Sequence, residues 1–262
     1  MKTVVCIKQV PSAGDAKIDP ETKRIIREGG KAVLNPFDLY AVEEAIRIKE
    51  RAGGEVIALS MGPESAVNAL TEALSMGADD AVLLCDRAFA GSDTWATGYA
   101  LSKAIEKIGG ADLVICGKQA IDGDTAQVGP EIAAQLGITQ AANVFCVDEV
   151  SADSVTVKRM NECGYDVVRL KLPALITVVK DINFPRIPTL ANARAAARKE
   201  IPFLKPADIG ADPDKLGLAA SPTRVVKTAP PAVREGETLN IAGDPKDAAA
   251  ALVTELCGRG LL

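Results

Sequence analysis

The first two-thirds of the chain alternate short runs of β-branched and aliphatic residues with longer stretches that have the apolar spacing of an amphipathic helix. We expect strands over Thr3–Ile7, Glu55–Ser60, Ala81–Cys85 and Leu113–Cys116. We expect helices over Pro36–Ala52, Ser65–Met76 and Asp93–Ile108, with a further helix after Gly123. Strands that alternate with helices favour a parallel sheet covered on both faces. The predicted fold class is therefore α/β, with a mostly parallel, doubly wound sheet.

A different pattern begins near residue 143. Three strands separated by turn residues are expected over Asn143–Val150, Ser154–Met160 and Asp166–Leu172. Their spacing favours antiparallel hairpins, so we expect a β-hairpin insertion at about residues 143–172. The run Leu175–Val179 is expected to return to the main sheet.

The last part of the chain has a looser composition. Residues 206–231 are rich in Pro, Ala, Asp and Lys, which is typical of a linker or an extended arm. A final helix is expected from Asp244 and Pro245 to Gly258. We therefore predict an α/β domain over residues 1–205 and a C-terminal arm over 206–262. Such an arm either docks on another subunit or is a loose terminus, and the pattern leaves both open.

The chain contains no histidine. This excludes Ser-His-Asp and Cys-His catalysis, histidine-ligated zinc and the usual general base at neutral pH. The six cysteines stand apart without CxxC spacing, so no zinc ribbon and no dithiol motif is expected. We expect no metal site and no catalytic side chain. Any redox chemistry must then be carried by a bound cofactor.

The net charge is -5, from 30 basic and 35 acidic side chains. Such a balance is a poor basis for binding nucleic acid, which needs clustered Lys and Arg. No apolar run approaches the length of a bilayer span, and the first residues do not resemble a signal peptide. We therefore expect a cytoplasmic protein without a nucleic-acid partner and without membrane insertion.

The best candidate for a binding site is the segment 116–137, CGKQAIDGDTAQVGPEIAAQLG. Neither GxGxxG nor GxxxxGK[ST] occurs, so a nucleotide would need another geometry. An apolar strand ends at Gly117 and is followed by a polar loop and a helix start. In an open parallel sheet such loops form the ligand crevice, and helix N-termini attract phosphate. The alternative is an ordinary strand-to-helix connection capped by Asp124 or Thr125.

Two further loops belong to the same hypothesis. In Val33–Asp38, Asn35 either reads an adenine edge or caps the following helix. In Ala90–Thr97, the polar side chains of Ser92, Asp93, Thr94 and Thr97 either contact a phosphate or belong to a capped helix. All three loops follow or abut predicted strand ends, so we expect them at one edge of the sheet.

The segment 183–201 carries a different signal. Thr189 can cap a short helix that starts with an outward-pointing Leu190, and Arg194, Arg198 and Lys199 add positive charge. An exposed leucine on a basic helix is usually unremarkable, but it can also anchor a partner protein.

Together these segments resemble the beta subunit of electron-transfer flavoproteins over almost the whole chain. The matching stretches are VVCIKQVP at 4–11, NPFDLYAVEEAIRIKE at 35–50, EVIALSMGP at 55–63, ALSMGADDAVLL at 73–84, CGKQAIDGDTAQVGPE at 116–131, VKRMNECGYDVVRLKLPALITVVKDINFPR at 157–186 and PTLANARAAARK at 188–199.

The resemblance implies a Rossmann-like domain that binds an adenine nucleotide and pairs with an alpha subunit holding FAD. In ordinary members the beta-subunit nucleotide is a structural AMP. In electron-bifurcating members it is a second FAD, which accepts hydride from NADH and sends electrons to the alpha-subunit FAD and to a low-potential acceptor such as ferredoxin or flavodoxin. The segment 184–200 resembles a recognition loop in which Leu190 anchors an acyl-CoA dehydrogenase, with Arg194, Arg198 and Lys199 nearby.

The polar residues of the loop Ala90–Thr97 contribute Asp93, Thr94 and Thr97 to the expected nucleotide site, and the resemblance, carried over by position, implies the rest of it. Its other members are Cys6, Asn35, Pro36, Phe37, Asp38, Met61, Gly117, Lys118, Gln119, Ala120, Ile121, Asp122, Gly123, Asp124, Thr125, Ala126, Gln127 and Val128. Backbone donors of 123–128 and the hydroxyls of Thr94, Thr97 and Thr125 are expected to hold a pyrophosphate.

The choice between FAD and AMP rests on a few positions. Ala126 and Val128 stand where AMP-binding members carry polar side chains, and DGDTAQVGP, AGSDTWAT and the pair Gly164–Tyr165 resemble bifurcating members. NPFD resembles the AMP type, and Cys163 interrupts the family signature after Glu162. We expect FAD, with AMP as the alternative.

Overall fold

The structure, a computed structural model, describes residues 1–12, 17–18, 25–26, 32–226 and 239–262, and gives only the backbone of 17–18 and 25–26. The chain divides into two compact units, Met1–Val226 and Lys227–Leu262. Among the described residues, no helix combines the length and the apolar character that crossing a membrane requires.

The described residues form thirteen strands and seven α-helices. The strands are β1 (Lys2–Cys6), β2 (Gln9–Pro11), β3 (Lys17–Ile18), β4 (Ile25–Ile26), β5 (Ala32–Leu34), β6 (Glu55–Met61), β7 (Asp80–Leu84), β8 (Leu113–Gly117), β9 (Thr139–Val150), β10 (Ser154–Asn161), β11 (Gly164–Lys171), β12 (Ala174–Val178) and β13 (Phe203–Leu204). The helices are α1 (Pro36–Ala52), α2 (Val67–Met76), α3 (Thr94–Lys107), α4 (Val128–Leu136), α5 (Leu190–Ala196), α6 (Gly217–Ala220) and α7 (Pro245–Gly258).

Nine of these strands make one sheet in the order β11-β10-β9-β12-β8-β1-β6-β7-β13. Its centre is parallel: β1 pairs with β6 on one side and with β8 on the other, and Cys6 lies opposite Cys116. In chain order the central strands β7-β6-β1-β8-β12 run 3-2-1-4-5, the doubly wound order whose direction reverses between β1 and β8. Ligands of such sheets bind outside the carboxyl ends of the strands at this reversal.

Two apolar cores cover the two faces of the sheet, because successive strand residues point to opposite sides. Val5 and Ile115 pack on one face with Val42 of α1 and Leu70 of α2. On the other face Val4 and Val114 pack with side chains of α3 and α4. The predicted doubly wound α/β fold is therefore confirmed.

The predicted hairpin insertion is also confirmed, since β10 pairs antiparallel with both β9 and β11. β9 starts at Thr139, four residues before the predicted start, because its first residues pair parallel with β12 before the strand continues into the hairpin. The helix predicted from Ser65 begins as a 3-10 turn at Glu64–Ala66 and becomes α-helical at Val67.

The segment 206–226, predicted to belong to the arm, lies in the first compact unit. Ile209 and Leu216 are buried in the core formed with α3. The amide of Asp212 donates to the Tyr99 hydroxyl over 3.0 Å, and Lys215 Nζ lies 5.5 Å from the centre of the Tyr99 ring. Two isolated apolar residues without helical or strand spacing give little sequence signal, although they anchor this segment on α3.

The second unit contains the predicted C-terminal helix, α7. Asp244 caps it by accepting hydrogen bonds from the amides of Lys246 (2.8 Å) and Asp247 (3.1 Å), and Pro245 occupies the first turn. None of its residues is buried, and Leu252 and Val253 are about half exposed. Residues 227–231 of the predicted linker lie outside the described residues.

Candidate functional site

A cleft of about 930 Å³ opens at the carboxyl ends of β8, β1, β6 and β7. It lies across the reversal between β1 and β8, where a doubly wound sheet binds its ligand. All three predicted loops contribute to it. The predicted site residues in its lining are Cys6, Asn35, Asp38, Met61, Asp93, Thr94, Thr97, Gly117, Lys118, Gln119, Ala120, Asp122, Gly123, Asp124, Thr125, Ala126, Gln127 and Val128. The predicted residues Pro36, Phe37 and Ile121 are not part of this lining.

Asn35 fastens the loop after β8 to the start of α1. Its side-chain amide donates to the Gln119 carbonyl over 2.9 Å, and its side-chain oxygen accepts the amide of Ile121 over 3.2 Å. The residue is 1% exposed. Asn35 makes no side-chain cap of α1, so the capping interpretation is wrong. It is wrong because the asparagine points across the sheet edge and holds another loop.

The side chain of Asp38 contacts the chain next to the ends of both β1 and β8. Its buried carboxylate accepts the amide of Lys8 over 2.7 Å, and the polar groups of Asn35 and Gly117 also favour its charged form. Burial outweighs these hydrogen bonds and raises the pKa of Asp38 to about 7. A Cβ on residue 117 would lie 2.3 Å from Asp38 Oδ1, so only glycine allows this approach.

The loop 117–129 presents its backbone to the cleft. Asp124 (φ 51°) and Ala126 (φ 54°) adopt the left-handed conformation, and Gln127 follows in the right-handed one. Within the described part of the chain, the amides of residues 125–129 donate to no other group. Successive amides in such alternating conformations form an anion-binding concavity, here continued by the N-terminus of α4.

Two glycines of this loop have different surroundings. Gly123 does not have positive φ, and nothing lies within 4 Å of a Cβ built on it. Gly129 instead allows close packing, since a Cβ there would lie 2.6 Å from Thr177 Cγ2.

Capping of α4 by Asp124 or Thr125, the alternative interpretation of this loop, is not found. α4 begins at Val128 without a side-chain cap, and Asp124 accepts a hydrogen bond from Gln119 Nε2 over 2.9 Å. The amides of the first turn thus remain available to a ligand.

The loop before α3 is tied to the segment 217–223, which we call the strap. Asp93 caps α3 through the amide of Ala96 (3.1 Å) and accepts the amide and hydroxyl of Thr223 (2.9 and 2.8 Å). Its own amide donates to Ser221 Oγ over 2.8 Å. Burial opposes ionisation of Asp93, but the hydrogen bonds outweigh it and lower the pKa of the carboxyl. The carboxylate of Asp93 is therefore occupied by the cap and the strap.

Thr94 also has a structural partner. Its hydroxyl donates to Glu131 Oε1 over 3.0 Å and so links the start of α3 to the first turn of α4. Burial raises the pKa of Glu131, although the Thr94 hydrogen bond opposes the shift. Thr97 lines the cleft one turn further along α3.

Sequence reasoning missed Lys8, which lies two residues beyond the end of β1. Its ammonium lies 2.8 and 2.7 Å from the two carboxylate oxygens of Asp122, and both residues line the cleft. The only signal was its place beside a predicted strand end. Ser221 and Thr223 were missed as well, because the strap was assigned to a linker.

The predicted docking segment has the expected exposure. Thr189 caps α5 by accepting the Asn192 amide over 3.1 Å, and Leu190 is 68% exposed. Phe184 and Ile187, which precede it, are even more exposed. Lys199, one of the basic residues predicted to meet a partner, has contacts within the chain itself. Its ammonium contacts the Asp79 carbonyl and lies 3.5 Å from Asp80 Oδ1.

Arg186 holds the beginning of the predicted docking segment against α1. Its guanidinium donates to Glu43 and to Glu50 of α1, with the shortest contacts at 2.8 and 2.6 Å. Burial opposes ionisation of Glu43, but hydrogen bonds from Arg186 and Arg47 lower its pKa.

Among the described residues, no group of three or more Cys, Asp or Glu side chains is placed to hold a metal ion.

The electron transfer flavoprotein domain matches residues 22–209. The chain belongs to the electron transfer flavoprotein family. It is 50% identical over 264 aligned residues, covering all of both chains, to the electron transfer flavoprotein subunit beta of Thermoanaerobacterium thermosaccharolyticum. It is 43% identical to the caffeyl-CoA reductase-Etf complex subunit CarD of Acetobacterium woodii, over 98% of both chains. It is 44% identical to protein FixA of Azorhizobium caulinodans, over 99% of this chain and 95% of the relative.

Most of the candidate site lies in the part of the chain that the family matches. The matched range contains the loops around Asn35, Asp93 and Asp122 and the segment that carries Leu190. The relative from Thermoanaerobacterium thermosaccharolyticum is named a beta subunit of an electron transfer flavoprotein, and it aligns with the whole chain. The strap and α7 lie beyond the matched domain but within the range aligned to the full-length relatives.

Proposed function

We propose that this chain is the FAD-binding beta subunit of an electron-bifurcating electron transfer flavoprotein. In this proposal NADH donates a hydride at the beta-subunit site, and the electrons go to the alpha-subunit FAD and to a low-potential acceptor such as ferredoxin or flavodoxin. An acyl-CoA dehydrogenase is the partner at the high-potential end. The observation that carries the proposal is the cleft at the β1–β8 reversal, where the amides of 125–129 donate to no other group among the residues that the structure describes.

Size and lining of the cleft support a dinucleotide. A volume of about 930 Å³ lies near the upper end of the usual ~300–1,000 Å³ range for small-molecule sites. The lining continues from the amide-rich loop past Met61 to Asp86 and Arg87, across four strand ends.

The residues present fit such a cofactor. Amides of 125–129 and the N-terminus of α4 are donors for phosphate, while Cys6, Met61 and Cys116 give the floor an apolar, polarisable surface for an aromatic ring. Bound FAD would supply hydride acceptance and single-electron transfer. The chain itself would bind and orient it, and hydride transfer requires no histidine or other acid–base side chain here.

The name of one relative supports the proposed kind of partner enzyme. The name of the Acetobacterium protein puts that relative in a complex with a caffeyl-CoA reductase, an enzyme acting on a CoA thioester. By analogy, we propose that the exposed Leu190, with Phe184, Ile187, Arg194 and Arg198 around it, contacts an acyl-CoA dehydrogenase. We also propose that the unburied side chains of α7 dock on the alpha subunit.

The second candidate is a non-bifurcating carrier with structural AMP. It is favoured by Asn35 and Asp38, which belong to the NPFD sequence of that type and here build the wall of the cleft. The amides of 125–129 would suit its monophosphate as well.

Flavin content and reduction by NADH separate the two candidates. The purified heterodimer is expected to hold two flavins that NADH bleaches. One flavin together with released AMP would instead support the carrier. In the same preparation Leu190→Ala is expected to slow electron transfer to an acyl-CoA dehydrogenase without loss of nucleotide, and an unchanged rate would argue against the docking surface.

A further inference from the structure

The described lining of the cleft has an unusual charge for a site that takes an anionic ligand. Among the described residues, its basic side chains are Lys8, Arg87 and Lys118, and acidic side chains outnumber them. Phosphate entering such a cleft meets a repulsive field unless specific cations offset it. The individual contacts of the lining charges therefore decide where a phosphate can bind.

Most of the acidic side chains accept hydrogen bonds from neutral donors. Asp93 accepts from Ala96 and Thr223, and Asp124 accepts from Gln119. Asp122 is different, because both of its oxygens contact the ammonium of Lys8, at 2.8 and 2.7 Å. Lys8 comes from the loop after β1 and Asp122 from the loop after β8, so the pair spans the sheet reversal.

We propose that Lys8 is a phosphate-binding cation of this cleft and that Asp122 competes with the nucleotide phosphate for it. This rests on the proposed binding of an anionic nucleotide and holds for FAD and AMP alike. A phosphate oxygen and a carboxylate oxygen are equivalent acceptors for an ammonium, which offers three donors. The pair thereby sets how strongly the cleft prefers phosphorylated ligands over nucleosides.

The local structure permits the exchange. About half of the Lys8 side chain is exposed, and an exposed ion pair contributes little to stability. Asn35 holds the loop just before Asp122, through Gln119 and Ile121, so this backbone can stay in place while the aspartate side chain turns toward water. The Lys8 backbone is likewise held by Asp38.

The test uses AMP and adenosine, which differ by one phosphate, titrated calorimetrically into the purified full-length complex after its nucleotides have been removed. Lys8→Met is expected to weaken AMP about tenfold and to leave adenosine within about twofold. Asp122→Asn is expected to tighten AMP about two- to fivefold, again without changing adenosine. Asp124→Asn removes the same charge from the same loop without touching Lys8, and its effect on AMP is expected to be smaller.

The double variant Lys8→Met/Asp122→Asn isolates the competition. The gain from Asp122→Asn is expected to disappear when Lys8 is absent. Equal gains from Asp122→Asn and Asp124→Asn, or a gain that persists when Lys8 is replaced, would overturn the competition and leave only a general field effect. An unchanged AMP-to-adenosine ratio in Lys8→Met would overturn the role of Lys8. Failure of AMP, ADP and FAD to bind the wild-type complex would instead refute the proposed function.

Discussion

Replacing Asn35 by Ala tests whether one buried amide holds the nucleotide loop. The substitution removes the hydrogen bonds to the Gln119 carbonyl (2.9 Å) and from the Ile121 amide (3.2 Å). Each lost bond that leaves a partly buried partner costs about 1–1.5 kcal/mol, which gives about 2–3 kcal/mol in total. For a unit of this size, 1 kcal/mol lowers the melting temperature by about 2–4 °C, so a loss of about 5–10 °C is expected.

Differential scanning calorimetry measures this loss, and nucleotide release on dilution measures the effect on the site. We expect the variant to release its nucleotide faster, because the amides of 125–129 are no longer held in register. Asn68→Ala is the matched control: Asn68 is exposed on α2, and its loss should change stability by less than about 0.5 kcal/mol. If Asn35→Ala melts and releases nucleotide like Asn68→Ala, the loop does not depend on this clamp.

Three further predictions concern neighbouring contacts. Gly117→Ala should lower the free energy of unfolding, measured by urea denaturation, by about 1–3 kcal/mol, because the new Cβ would lie 2.3 Å from Asp38 Oδ1. Gly123→Ala should be nearly neutral, because nothing lies within 4 Å of its Cβ. Equal effects of the two substitutions would contradict the packing argument. The Asp38 carboxyl has a pKa of about 7 in the folded protein, so it holds its proton more tightly there than in the unfolded chain. As the pH rises from 5 to 7, the free energy of unfolding of the wild type should therefore fall by about 2–3 kcal/mol relative to that of Asp38→Asn. Parallel pH profiles of the two proteins would show that Asp38 titrates normally. Thr223→Val removes the hydroxyl bond to Asp93 and should speed amide hydrogen exchange over 217–226, and unchanged protection would mean that the strap is held by its apolar contacts alone.

The order of strands and helices was predictable because each central element carries a strong periodic pattern. α1 begins at Pro36 and ends at Ala52 as expected, and the hairpin strands fall within a few residues of the predicted ones. From a doubly wound sheet, the site at the carboxyl ends of its strands follows almost directly. The three predicted loops do meet in one cleft.

The contacts inside the site were not predictable, because they join residues far apart in the chain. Asn35 was expected to act locally as a cap or to read an adenine edge, but it bonds residues 119 and 121. The left-handed conformations of the loop fall on Asp124 and Ala126, which are not glycines. The segment 206–226 gave no periodic signal, since Ile209 and Leu216 are single apolar anchors in a polar stretch.

The most direct test of the account is an experimental structure of the nucleotide-loaded heterodimer. An adenine nucleotide is expected in the cleft between the ends of β1 and β8, with phosphate oxygens within about 3.2 Å of amides in the range 125–129. A nucleotide bound elsewhere on the chain, or phosphates that contact none of these amides, would contradict it.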